Sequence, residues 1–262
     1  ITAAVIGSLI WQSRGISISL PMGPSSRSFE MTETLTLTQL PPYTWEARIW
    51  FPSPPVTASQ QVELVKVESP ISYVWGSEPE FENRYIQFTS RGTPVLPATI
   101  QVTYRIIRKE EKKLAEAIPP SAAPPSPVQP ITLQPRGYIA ITDEIIRTAQ
   151  EQIDGMTQPL EKAHALYDYV LRHVRYDPQA VGAGRGSSLY ALQAGRGDST
   201  DMHALFVALA RAVNIPARFQ MGVTISSPSS GLLDKSNRHG WAEFYAEPYG
   251  WVPVDIASAW QN

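Results

Sequence analysis

The sequence predicts an α+β protein in two parts, a small β-sandwich followed by a domain that mixes helices with strands. Three observations support this. Apolar and polar residues alternate with a period of two in the first half, a proline-rich stretch interrupts the chain, and helical spacing of apolar residues marks the second half. The length of 262 residues fits about two domains, and a hydrophobic content of 43% is enough for a sizeable core.

Three segments of the first half show the alternation that is typical of half-buried strands. Their apolar residues share one face and polar residues occupy the other. Several such strands in succession favour a β-sandwich, which we place at residues 28–113. The alternating residues are Phe29, Met31, Leu35 and Leu37, then Trp45, Ala47, Ile49 and Phe51, and finally Ile100, Val102, Tyr104 and Ile106.

The composition changes sharply after the predicted sandwich. The stretch IPPSAAPPSPVQP at residues 118–130 is rich in proline, which favours an extended and semi-rigid spacer over a helix or a central strand. We therefore predict an interdomain linker at residues 114–138, followed by the second domain at residues 139–262.

The N-terminal segment, residues 1–27, opens with the short apolar stretch ITAAVIGSLIW. It fits two interpretations. One is the remnant of a signal or anchor segment, which predicts an exported or membrane-anchored extracytoplasmic protein with a tether upstream of Ile1. The other is a buried strand with Ala3, Val5 and Leu9 in the core, and the alternative location is then the cytoplasm.

Charge and composition narrow the classes of partner and cofactor. The net charge of −2 gives no basic excess, so we expect no nucleic-acid partner. The chain has no cysteine, which excludes disulfides, cysteine-type zinc sites and thiol catalysis in this sequence. The histidines show no metal-ligand spacing, so we predict neither a metal nor a cofactor. No apolar run is long enough for an intact transmembrane helix.

The second half predicts three helices and then three strands. Thr142 is positioned to cap a first helix that ends at Gly155, and a second amphipathic helix covers residues 159–175. A third helix covers residues 200–213 and is followed by strand-like segments at residues 217–225, 239–246 and 251–255.

Ser199, His239 and Asp255 stand at positions that could bring them together. His239 and Trp241 share one face of a predicted strand, and Asp255 lies on one face of the next strand. If the connecting loop has an odd number of residues, Asp255 lies opposite Trp241 or diagonal to His239. That separation lets a carboxylate bond to an imidazole, fix its tautomer and leave the other ring nitrogen for chemistry.

Ser199 opens the third helix, where unpaired N–H groups and the helix dipole stabilise an anion. A cysteine at such a position beside a histidine exists largely as the thiolate, so this chemistry favours cysteine, whereas the sequence has serine. Considered alone, Ser199 is also a typical helix N-cap.

Two segments resemble the transglutaminase-like domain of the papain-like superfamily: GRGDSTDMHALFVALARAVNIPAR and RHGWAEFYAEPYGWVPVD. The resemblance extends over residues 139–260 and implies a papain-like α+β fold. It departs from the family at Ser199, where cysteine is usual, and at Asn214, where glycine is usual. It implies a nucleophile at Ser199, a general base at His239, an orienting acid at Asp255, and a cleft lined by Trp241, Tyr190 and Gly197.

The resemblance also implies attack on a peptide or glutamine amide, an acyl-enzyme, and release to an amine or to water. Our main prediction is an inactive transglutaminase-like protein with a Ser-His-Asp triad that binds a peptide or protein in its cleft. The alternative is an active cysteine-type peptidase or acyltransferase in which Ser199 has replaced the nucleophilic cysteine. A third interpretation, ranked below these, is a serine variant with hydrolytic activity.

Overall fold

The computed structural model describes residues 9–14, 26–92, 96–109, 129–225, 231–233 and 237–261. The chain divides into two compact units, residues 1–113 with 225–237 and residues 114–224 with 238–262. The sequence analysis assigns residues 225–237 to the C-terminal domain, but they group with the N-terminal unit instead. The reason is that Leu232–Leu233 pairs antiparallel with the strand Leu9–Arg14 of that unit.

The strands of the N-terminal unit are β1 (Leu9–Arg14), β2 (Ser26–Leu37), β3 (Glu46–Pro52), β4 (Gln60–Glu68), β5 (Tyr73–Ser77), β6 (Arg84–Arg91), β7 (Ala98–Lys109) and β11 (Leu232–Leu233). Within the described residues they form two antiparallel sheets, one with the order β11-β1-β2-β7-β4 and the other with the order β3-β6-β5.

The alternation read from the sequence is present in β2, β3 and β7. Met31, Leu35 and Leu37 are buried on one face of β2, and the buried residues of β3 and β7 likewise fall at every second position. Trp45 is an exception, because it precedes β3 and is 72% exposed. The strands β4, β5 and β6 were not predicted from the sequence. Residues of β4 and β5 are mostly exposed, so burial imposes no clear alternation on them, whereas β6 does bury every second residue. Ala3 and Val5 lie outside the described residues.

The C-terminal unit mixes helices with strands. The helices are α1 (Asp143–Gln152), α2 (Pro159–His173), α3 (Ser188–Ala194), α4 (Ser199–Ala212) and α5 (Ile256–Gln261). The strands are β8 (Arg175–Tyr176), β9 (Arg196–Gly197), β10 (Ala217–Val223), β12 (Arg238–Ala246) and β13 (Gly250–Val254). They form an antiparallel sheet of order β10-β12-β13 and a short parallel pair, β8-β9.

The predicted helices are found, with some shifts at their ends. Thr142 caps α1 as expected, because its side chain accepts a hydrogen bond from the amide of Ile145, but the helix ends at Gln152. The second helix ends at His173, since Arg175 already pairs with β9. The predicted linker is described only from residue 129, and Pro130–Leu133 forms a 3₁₀ turn there.

The centre of this unit is α4, in which residues 201–211 are all buried. One face of β12 packs on it through the buried residues Ala242, Phe244 and Ala246, while the alternate residues 239, 241, 243 and 245 are only partly buried. This packing fixes the N-terminus of α4 relative to the start of β12. None of the helices within the described ranges is both long and apolar enough to cross a membrane.

Candidate active site

The chain enters α4 through a tight turn that is capped by Asp198. The Asp198 carboxylate accepts hydrogen bonds from the amides of Thr200 and Asp201, and the Asp201 carboxylate accepts one from the amide of Asp198, so the two form a capping box. Ser199 is therefore the first residue of the helix and not its N-cap, so the helix-cap interpretation of Ser199 is wrong. Ser199 is partly exposed, and the capping hydrogen bonds of the helix are made by Asp198 and Asp201.

The buried carboxylate of Asp201 also holds the loop that precedes α3. Besides Asp198, it accepts hydrogen bonds from the amides of Gly184 at 2.7 Å, Gly186 at 2.9 Å and Ser187 at 3.2 Å. Gly197 lies so close that an added Cβ would come within 2.7 Å of the Asp201 Cβ. Glycine at 197 therefore makes room for Asp201, and its role in lining the cleft stays a prediction.

His239 and Asp255 are brought together by the register of β12 and β13. The loop between the strands is residues 247–249, an odd number, and the last pair of the ladder is Ala242 with Val254. Continued by one residue, this register sets Asp255 opposite Trp241 and diagonal to His239. The His239 Nε2 lies 2.7 Å from Asp255 Oδ2.

Asp255 is held by further bonds at the start of α5. The amide of Ser258 donates to Oδ1 at 3.0 Å, and the Ser258 hydroxyl donates to Oδ2 at 2.8 Å. Burial opposes ionisation of Asp255, but the hydrogen bonds from His239 and Ser258 outweigh it and lower the pKa to about 2. The carboxylate is therefore charged near neutral pH. The His239 Nε2–H donates to it, and Nδ1 is left for a second partner.

His203, to which the sequence alone assigned no role, lies within the site. Its Nδ1 lies 2.6 Å from the carbonyl oxygen of Ser199, and its Nε2 lies 2.8 Å from the amide nitrogen of Ile256. The centroids of the His203 and His239 rings are 6.4 Å apart. A histidine one helical turn after the predicted nucleophile is the signal that could have identified it.

Of the predicted cleft residues, Trp241 lies beside the site and Tyr190 does not contact it in the described contacts. Trp241 stacks on His239 with ring centroids 6.5 Å apart and lies across Gly222, where an added Cβ would come within 2.9 Å of the indole. The Tyr190 hydroxyl donates to the carbonyl of Val181 at 3.1 Å and so helps to fix the loop before α3.

A pocket of about 220 Å³ opens beside the first turns of α4. Thr200, the neighbour of Ser199, forms part of its wall. The remaining lining residues are Tyr138, Ile139, Arg185, Gly186, Ala204 and Phe219.

Among the described residues, no group of three or more His, Asp or Glu side chains could hold a metal ion.

Comparison with known proteins finds similarity in the C-terminal unit. Residues 146–256 match the family model of the transglutaminase-like superfamily. An uncharacterised protein of Haemophilus influenzae is 26% identical in an alignment 253 residues long, and the alignment covers 87% of this chain and 68% of that protein.

Two solved structures share the fold at low sequence identity. A candidate cysteine protease from Cytophaga hutchinsonii matches with a TM-score of 0.57 and 15% identity, over 95% of this chain and 77% of its own. The periplasmic domain of TgpA from Pseudomonas aeruginosa matches with a TM-score of 0.53 and 17% identity, over 94% of this chain and 71% of its own. The match to the transglutaminase-like family model includes both segments, residues 195–218 and 238–255, on which the resemblance was predicted.

Proposed function

We propose that Ser199, His239 and Asp255 form the reaction site of this domain, built as a cysteine-type acyl-transfer site with serine in the nucleophile position. With serine the domain binds a peptide or protein in its cleft and has little or no turnover. The observation that carries the proposal is the 2.7 Å hydrogen bond from His239 Nε2 to Asp255, which leaves Nδ1 for a nucleophile.

The chemistry follows from these contacts. The Asp255 carboxylate orients the ring of His239, whose Nδ1 would take the proton of the nucleophile and later pass it to the leaving amine. Ser199 lies at the positive end of the α4 dipole, and its amide has no backbone acceptor among the described residues, so it is available to an oxyanion. A serine hydroxyl stays neutral near pH 7, whereas a thiol in this position would ionise. The serine therefore removes most of the rate that this arrangement supports.

The alternative is an active cysteine-type peptidase or acyltransferase with cysteine in place of Ser199. The fold shared with a candidate cysteine protease favours it. The codon for residue 199 in the encoding gene separates the two: a cysteine codon supports the active enzyme, and a serine codon supports the inactive binder.

We also propose an extracytoplasmic location, because one structural neighbour is a periplasmic domain. Protease treatment of intact spheroplasts should digest a tagged copy of the protein expressed from its own gene. Protection from the protease until the membrane is lysed would contradict this location.

The thiol of a Ser199→Cys variant tests the site itself. A lowering of the thiol pKa by about two units raises the thiolate fraction at pH 6 about 75-fold, and the lower nucleophilicity of the thiolate cancels about tenfold of that gain. We therefore expect alkylation by iodoacetamide at pH 6 to be about tenfold faster than for an ordinary thiol. The chain has no other cysteine, so the measured rate belongs to position 199 alone.

The matched control is Asp143→Cys, which places a thiol at the first residue of α1 without a designed base beside it. Adding His239→Ala to Ser199→Cys should slow alkylation to the control rate, and Asp255→Ala should slow it less, because Asp255 acts through His239. If Ser199→Cys reacts like the control and His239→Ala has no effect, the three residues do not form one site.

A further inference from the structure

His203 uses both of its ring nitrogens inside the protein. It is fully buried, and it lies on α4 one turn after Ser199. One nitrogen contacts the carbonyl of Ser199 at 2.6 Å, and the other contacts the amide of Ile256 at 2.8 Å. The ring therefore joins the first turns of α4 to the start of α5, although His203 and Ile256 are 53 residues apart in the chain.

The two partners determine the tautomer of His203. A backbone amide can only donate, so Nε2 must accept from Ile256 and carries no proton. A carbonyl oxygen can only accept, so Nδ1 carries the proton and donates it to Ser199. Protonation of Nε2 would break the bond to Ile256. Burial lowers the pKa of His203 to about 4, which agrees with a neutral ring throughout the neutral range.

The bond to Ile256 bears directly on Asp255. The Ile256 amide belongs to the peptide group that links Asp255 to Ile256, so its position fixes the backbone that carries the carboxylate. The Nε2 of His203 also lies 3.8 Å from Asp255 Oδ1, but it has no proton to donate there. His203 therefore acts on Asp255 through the main chain, while Asp255 keeps its oxygens for His239 and Ser258.

We infer that His203 is a positioning residue that ties the helix turn bearing Ser199 to the Asp255–Ile256 peptide and so aligns Asp255 with His239. This inference rests on the proposed function and extends it. It differs from a purely structural role. In that role His203 would only satisfy a buried amide, and the effect of replacing it would be explained by the loss of an acceptor or by lower stability.

Three substitutions separate the two hydrogen bonds. His203→Phe removes both. His203→Gln places an acceptor near the position of Nε2 and keeps the bond to Ile256. His203→Asn places a donor near the position of Nδ1 and keeps the bond to Ser199. Gln and Asn are matched in charge and chemistry, so they differ mainly in which bond survives.

The first measurement is the hydrogen bond between His239 and Asp255 at neutral pH, with Ser199 unchanged. In protein with ¹⁵N-labelled histidine, the Nε2–H proton of His239 should give a downfield resonance protected from exchange, assigned by its loss in His239→Ala. We expect the resonance to persist in His203→Gln and to move upfield or broaden in His203→Asn and His203→Phe.

The second measurement is the alkylation rate of the Ser199→Cys thiol at pH 6 in the same three backgrounds. We expect the Phe and Asn variants to be slower by about tenfold, because a misaligned carboxylate no longer orients His239, and the Gln variant to stay within about threefold. Thermal unfolding of each variant shows that it is folded. If His203→Phe does not fold, the comparison of Gln with Asn decides.

The inference is overturned if the His239 resonance is unchanged in His203→Asn, or if the Gln and Asn variants behave alike in both measurements. The resonance needs neither activity nor a thiol. The proposed function fails if His239→Ala leaves the alkylation rate of the thiol unchanged. The His239 resonance can still differ between the Gln and Asn variants in that case, so the two failures are distinguishable.

Discussion

Replacing Glu33 with glutamine should stabilise the N-terminal unit, and the gain should grow with pH. Glu33 lies on the buried face of β2 with 1% of its surface exposed, among the apolar side chains of the sandwich. Neither carboxyl oxygen has a hydrogen-bond partner among the described residues. Burial without a partner favours the neutral form and raises the pKa of Glu33 from 4.5 to about 8.

The sign and size of the effect follow from this shift. Between pH 4.5 and about pH 8 the folded protein keeps a proton on Glu33 that the unfolded chain has lost. The stabilisation by the protonated carboxyl is thus complete below about pH 4.5 and is lost as the pH rises towards 8. The loss is at most about 1.4 kcal/mol per pH unit. Between pH 5 and pH 7 Glu33 should lower the free energy of unfolding by about 2–3 kcal/mol.

The assay is urea-induced unfolding at pH 5 and pH 7, monitored by hydrogen–deuterium exchange. Peptides from β2 and β7 report on the unfolding of this unit alone. The difference between Glu33→Gln and the unaltered chain should widen by about 2–3 kcal/mol from pH 5 to pH 7. The matched control is Glu30→Gln, on the same strand but ion-paired with Arg105 at the surface, and it should change stability by less than about 1 kcal/mol. A difference for Glu33→Gln that is the same at both pH values would refute the reasoning, since it would mean that the buried carboxyl is already ionised.

Two further predictions concern the entry to α4. Asp201→Ala should reduce the free energy of unfolding of the C-terminal unit, measured by chemical denaturation, by about 3–5 kcal/mol, because four amides lose their acceptor. The amides of Gly184 and Gly186 should also exchange faster with solvent. Unchanged exchange of these two amides would contradict the prediction. Gly197→Ala should lower the free energy of unfolding by about 1–3 kcal/mol, because the added Cβ would press on Asp201. The control is Gly231→Ala, whose added Cβ meets no atom within 4 Å and which should lower it by less than about 0.5 kcal/mol. Equal unfolding midpoints for the two variants would count against the close approach of Gly197 to Asp201.

Local patterns in the sequence determined a large part of this protein. Burial on one face imposes a period of two on β2, β3 and β7, so most of their inward residues were predicted, whereas the burial of the polar residue Glu33 on β2 was not. The proximity of His239 and Asp255 was also accessible, because the parity of the three-residue loop between β12 and β13 decides which faces coincide. Both properties depend only on the geometry of a strand and on the count of residues along it.

Tertiary structure decided the features that depend on which polar groups come within hydrogen-bond distance. Ser199 and Asp198 are both good helix caps by residue type, and only the folded turn shows that Asp198 takes the cap and leaves the Ser199 hydroxyl unused for capping. The spacing of four residues between Ser199 and His203 is visible in the sequence, but the partner on the other ring nitrogen, Ile256, is brought there by the packing of α5 against α4. A hydrogen bond forms only within about 3 Å, and for residues far apart in the chain that distance is set by the packed core and not by local periodicity.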